Sequence, residues 1–163
     1  MAAVRPRPST AGNRSRRPDG LAPDAAIGDA IAAGAVAAIV SGLPSTLHAI
    51  VTRRSVLAPS LAAGTLLLGG ERRPSRLLPA AAVAHAALSL GWAVVLAACL
   101  PRRHTAAWAP FAGLAIAALD LGVVGRRYPR IRALPLAPQI ADHVAYALTV
   151  GAILRRRRRA RGD

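Results

Sequence analysis

Residues Leu77 to Leu100 read LLPAAAVAHAALSLGWAVVLAACL. This stretch holds no Asp, Glu, Lys or Arg, and His85 is its one histidine. At about 1.5 Å rise per residue it makes a helix of roughly 36 Å, enough to cross the ~30 Å hydrocarbon core of a bilayer. Pro101-Arg102-Arg103 stops it. This is the clearest membrane span in the chain, and the rest is read outward from it.

Downstream, Thr105 to Gly125 is a second apolar run with one charge, Asp120, and Arg126-Arg127 ends it. The last run, Ala137 to Leu154, begins polar with Gln139, Asp142 and His143 and ends in Arg155, Arg156, Arg157, Arg158 and Arg159. Upstream lies the span Asp24 to Val51, in which Ala26, Ala30, Gly34, Ala38 and Gly42 recur at i+4 and make a small-residue face for another helix. Pro44 should kink or loosen its last turns, with Ser41, Ser45 and Thr46 near enough to satisfy freed backbone groups. Ser55 to Gly70 is apolar but reaches only about 24 Å at helical rise, short for a crossing. It carries Pro59, ends in Gly69-Gly70, and sits between Arg53-Arg54 and Arg72-Arg73. It reads as an interfacial or re-entrant helix. The expected fold class is therefore all-α: an integral membrane bundle with spans at 24–51, 77–100, 105–125 and 137–154 plus a short helix at 55–70. Residues 1–23, rich in Arg, Pro and Ser, cannot bury enough surface to fold and read as a disordered tail. Residues 155–163 read as a basic tail.

Composition agrees with lipid as the solvent. The chain is 53% hydrophobic but 3% aromatic, so its apolar area is Ala, Leu, Val and Ile rather than the large rings that fill soluble cores. The net charge is +15, and all 22 basic residues are arginine. Most of them flank apolar runs, which argues against nucleic acid as the partner, and neither tail offers the aromatic groups on which bases stack. The one cysteine, Cys99, excludes an internal disulfide.

Arginine placement sets the expected orientation. With four spans, thirteen arginines fall on the side of the termini and nine on the other. Both ends are thus expected in the cytoplasm, with the plasma membrane as the location. The run Arg155 to Arg159 is expected to meet anionic lipid headgroups.

Ionisable residues inside a span are costly and usually face the bundle interior. His48, His85, Asp120, Asp142 and His143 are such groups. Counted from the nearest outer boundary at about 1.5 Å per residue, they lie roughly 7–12 Å below one surface. They are expected to form one polar layer, with Ser41, Thr46 and Ser89 near it. Three roles suit such a layer. It can fix helix register through Asp pairing with histidine or with Arg126, Arg127 or Arg130. It can conduct protons or a solute, as intramembrane His and Asp chains do, with His85, Asp120 and His143 as the carriers. It can hold a metal or haem, although no H-x-x-x-H or C-x-x-C spacing supports that, and no cofactor is expected. Nucleophile-elbow, phosphate-loop, dinucleotide and zinc-protease motifs are absent, so an enzyme is not expected. The leading expectation is a non-enzymatic structural or assembly component; a small transporter or proton-conducting component is the alternative. Thin, Ala-rich helices around a polar interior also invite a second copy of the chain.

Two segments, Ser41-Gly42-Leu43-Pro44-Ser45-Thr46-Leu47-His48 and Pro135-Leu136-Ala137-Pro138-Gln139-Ile140-Ala141-Asp142-His143, resemble parts of small uncharacterised multi-pass membrane proteins of high-GC Gram-positive bacteria. The resemblance implies a membrane location and a helical fold, and no activity.

Overall fold

The computed structural model describes residues 23–162, so the disordered tail expected at 1–23 lies outside the described residues apart from Pro23, which opens the first helix. The helices are α1 (Pro23–Val40), α2 (Leu43–Val51), α3 (Ala58–Gly64), α4 (Pro74–Cys99), α5 (Thr105–Leu119), α6 (Pro129–Arg132) and α7 (Leu136–Ala160). Between α5 and α6 the chain widens into a π-helical stretch, Asp120–Val124, and tightens into a 3₁₀ turn, Gly125–Arg127. No strand occurs among the described residues.

The four long rods alternate in direction. The start of α1 meets the end of α7 through Asp29 and Arg157, and α2 meets the start of α7 through Ser45 and Asp142. Gly113 of α5 lies against Val144, and Gly151 of α7 against Ala109, so α5 and α7 are also antiparallel. The i+4 small-residue face is used in part. Ala30 and Gly34 are buried, but Ala33 and Ala37 are buried with them. This wider seam follows because α1 packs against α4 on one side and α7 on the other.

The large side chains point outward. Ile39 and Val51 are 82% and 80% exposed, whereas the core is mostly alanine with Leu77, Leu96, Ile116, Val150 and Leu154. Three segments are long and apolar enough to cross a membrane: Ala26–Val51, Pro74–Cys99 and Thr105–Arg127. At most a third of each apolar window is buried inside the bundle. An outward apolar surface of this extent suits hydrocarbon and not water.

α7 is the exception. It packs on α1, α2, α4 and α5 and is the hub of the bundle. Its neighbours leave Gln139, Asp142 and His143 half-buried against them. It also continues through Ala160, so the segment 155–163 expected as a basic tail is helical for most of its length. No Pro or Gly falls between Ala152 and Ala160, and the arginines favour a helix C-terminus.

Two segments differ from expectation in detail. Residues 55–70 are helical only over Ala58–Gly64, because Pro59 sets the first turn and turns follow from Thr65 to Gly70. α3 lies on α4, where a Cβ on Gly64 would collide with the Leu77 carbonyl oxygen. The chain then enters α4 through Glu71, whose carboxylate accepts the N–H groups of Arg72 (2.8 Å) and Arg73 (2.9 Å). Those backbone bonds, Arg73 first, hold the Glu71 carboxyl below its usual range. In the span 24–51, the expected kink is a break at Ser41–Gly42, just before Pro44 in the first turn of α2. Proline has no N–H, and its ring displaces the carbonyl of the preceding turn.

Candidate functional site

The break in the first span exposes backbone groups inside the bundle, and two side chains from other helices take them. Ser45 N–H, an orphan donor in the first turn of α2, donates to Asp142 Oδ1 at 2.9 Å. Asp142 thus caps a helix to which it does not belong, where the positive end of the helix dipole also favours it. On the other side of the break, the Ala38 carbonyl accepts from His85 Nε2 at 2.8 Å. A carbonyl can only accept, so Nε2 of His85 carries the proton.

Asp120 stands where α5 gives way to the π-helical stretch. Its Oδ2 accepts from Trp92 Nε1 at 3.1 Å and lies 3.5 Å from His143 Nε2. His143 Nδ1 donates to the Gln139 carbonyl at 2.7 Å. Both nitrogens of His143 therefore face oxygen acceptors. Tyr146 O–H donates to the Ser89 carbonyl and ties α7 to α4 below this layer. These groups surround a cavity of about 440 Å³, with Ser41, Ser45, His85, Asp120, Asp142 and His143 in its wall. Val56, Pro59 and Ala63, from α3 and the turn before it, line another side.

Of the five intramembrane residues singled out in the sequence, the structure brings His85, Asp120, Asp142 and His143 around this cavity. Ser41, Thr46 and Ser89 also line it. His48 does not. It sits half-buried in the last turn of α2, off the cavity wall. Asp120 pairs with His143 and Trp92 rather than with Arg126, Arg127 or Arg130.

Replacing Asp142 with Ala should orphan the Ser45 N–H and cost about 1–2 kcal/mol, the usual worth of a helix cap. Asp142→Asn keeps an acceptor oxygen and should retain most of that stability. Urea unfolding in mild detergent would measure both, and equal stability of Asp142→Ala and wild type would remove the cap from the account.

A second polar layer lies at the opposite end of the bundle. Asp29 of α1, 3% exposed, is paired with Arg157 (3.4 Å) and with Arg161. Arg158 is also buried and donates to the carbonyls of Ala97 (2.9 Å) and Leu100 (3.4 Å), which are among the last acceptors of α4. Sequence reasoning missed both residues. Asp29 is one of seven acidic residues in the chain and lies inside an apolar run, which was the available signal. Arg158 sits in a run of five arginines with nothing local to distinguish it. Two of the five arginines expected to meet lipid headgroups, Arg157 and Arg158, are thus engaged within the protein.

Among the described residues, no three of His, Cys, Asp and Glu converge as a metal site. The chain matches no protein-family model, no curated protein and no solved structure, so its function is read from its own residues.

Proposed function

We propose that the chain is a multi-pass protein of the plasma membrane with four spans and both termini cytoplasmic. In this reading it is a structural or assembly component, neither an enzyme nor a conductor. α7 is the fourth span. Its 25 residues reach about 37 Å at helical rise, and its neighbours cover its polar half. Thirteen of the arginines, against nine, favour the cytoplasm for the termini.

One observation carries the non-conducting reading. The two polar layers are separated by packed apolar side chains: Ala33, Ala37, Ala93 and Ala147 and Val150 are fully buried, with Leu96 at 3%. A proton or solute path needs polar or hydrated groups along its length, and this seal interrupts it. Two ionisable groups of the cavity, His85 and Asp142, instead stitch the broken first span to α4 and α7, and Asp120 and His143 join the end of α5 to α7.

The test is proton flux in proteoliposomes, beside the detergent stability of His85→Ala. Wild-type vesicles should hold a pH gradient as well as empty ones. His85→Ala should lose about 0.5–1.5 kcal/mol, the net worth of one hydrogen bond. Flux through the wild type that His85→Ala abolishes without loss of stability would reverse the assignment and make the layer a conduction path.

A further inference from the structure

The cavity beside the broken helix has more in it than stitching requires. Its volume, about 440 Å³, lies within the roughly 300–1,000 Å³ typical of small-molecule sites. Two backbone irregularities converge on it: the break at Ser41–Gly42 and the π-helical stretch that begins at Asp120. Irregular backbone at membrane depth is found where it lines a cavity, and discontinuous spans commonly build binding sites. π-helical bulges are likewise frequent at functional positions.

Charge indicates what kind of ligand fits. In a chain of net charge +15 with 22 arginines, no arginine lines this cavity, while two of the seven acidic residues do. Asp120 takes both of its contacts on Oδ2, and Asp142 takes the Ser45 N–H on Oδ1. Asp120 Oδ1 therefore lies outside these bonds. Asp120 is paired with His143 at 3.5 Å, whereas Asp142 forms no ion pair among the described residues. The remaining wall is largely apolar, including Val56, Leu78, Leu88 and Ile116.

We infer that this cavity binds a small organic cation, an alkylammonium group held by Asp142 and Asp120 with its alkyl part against the apolar wall. The inference goes beyond the structural role proposed above and does not depend on the number of crossings. An ammonium group can come from a soluble amine or from an aminoalcohol lipid headgroup, and the chemistry at the carboxylates is the same.

Isothermal titration calorimetry on the full chain in mild detergent, with butylammonium, butyrate and 1-butanol as probes, tests it. Butylammonium should bind saturably, and the other two should not. Asp142→Asn, which keeps the cap acceptor, should weaken butylammonium by at least about tenfold, as loss of a desolvated charge partner does. Asp120→Asn should weaken it less. Ser60→Phe, which places a ring at the cavity wall from the α3 side, should abolish binding. Equal binding of butanol and the amine, preferential binding of butyrate, or no binding of any probe to the wild type would each overturn the proposal. Repeating the titration in phosphatidylethanolamine and phosphatidylglycerol nanodiscs identifies the source. Competition confined to phosphatidylethanolamine supports a lipid headgroup as the occupant, and equal affinity in both supports a soluble amine.

Discussion

Replacing Arg157 and Arg161 together with alanine should destabilise the folded chain by about 3–5 kcal/mol, because it leaves a buried carboxylate without a partner. The carboxylate is that of Asp29, whose side chain is 4% exposed, against 47% for Arg157 and 32% for Arg161. This asymmetry predicts unequal results for the two sides of the pair. In Asp29→Ala the half-exposed guanidinium groups can swing into water, and the cost should fall to about 1–3 kcal/mol. The triple variant should recover most of the difference, since it buries no unpaired charge. Thermal or urea unfolding in one detergent would compare all three. If the triple variant is as unstable as the double, the arginines act through something other than Asp29. The result also bears on how the C-terminal arginines are read. As lipid-binding groups, Arg157 and Arg161 could be removed with little effect on folding; as the clamp between α7 and α1, they cannot.

Gly113→Ala should destabilise the folded chain, because α5 has no room for a methyl group where it crosses α7. A Cβ at Gly113 would lie 2.7 Å from Val144 Cα and 2.8 Å from the His143 carbonyl oxygen. Both obstacles are backbone, so α5 and α7 must move apart. Overpacking of this kind costs about 1–3 kcal/mol. Gly91 provides the control. It is also within a long helix, but nothing lies within 4 Å of its added Cβ, and Gly91→Ala should stabilise by about 0.5–1 kcal/mol through reduced backbone entropy. The Gly113 effect should reach the cavity as well, because the same helix pair sets the 3.5 Å separation of Asp120 and His143. Gly113→Ala should therefore weaken butylammonium binding, while Gly91→Ala should leave it unchanged. A Gly113→Ala protein as stable as wild type would mean that α5 and α7 are not in close backbone contact.

Membrane character was legible from the residues alone, and so were the approximate ends of the first three long helical segments. Partition into hydrocarbon is a sum over side chains along the chain, and Leu77 to Leu100 needs no tertiary partner to qualify. Pro44 likewise announced its irregularity, because its missing N–H and rigid ring act within one turn. Other features depended on where the helices lie relative to one another. His48 was expected at the depth of His85 and Asp142, yet it lies off the cavity wall, because helix phase is set by packing. The polar half of α7 packs against α1, α2, α4 and α5, which its own hydropathy does not reveal. The Asp29–Arg157 pair joins residues 128 positions apart, and no local pattern separates Arg157 and Arg158 from the arginines beside them. Sequence by itself determined where this chain resides, since solvation energy is additive and local. Only the tertiary structure decided which polar groups meet, since a hydrogen bond or ion pair needs two partners within about 3–4 Å, and that is settled by how the helices rotate and pack.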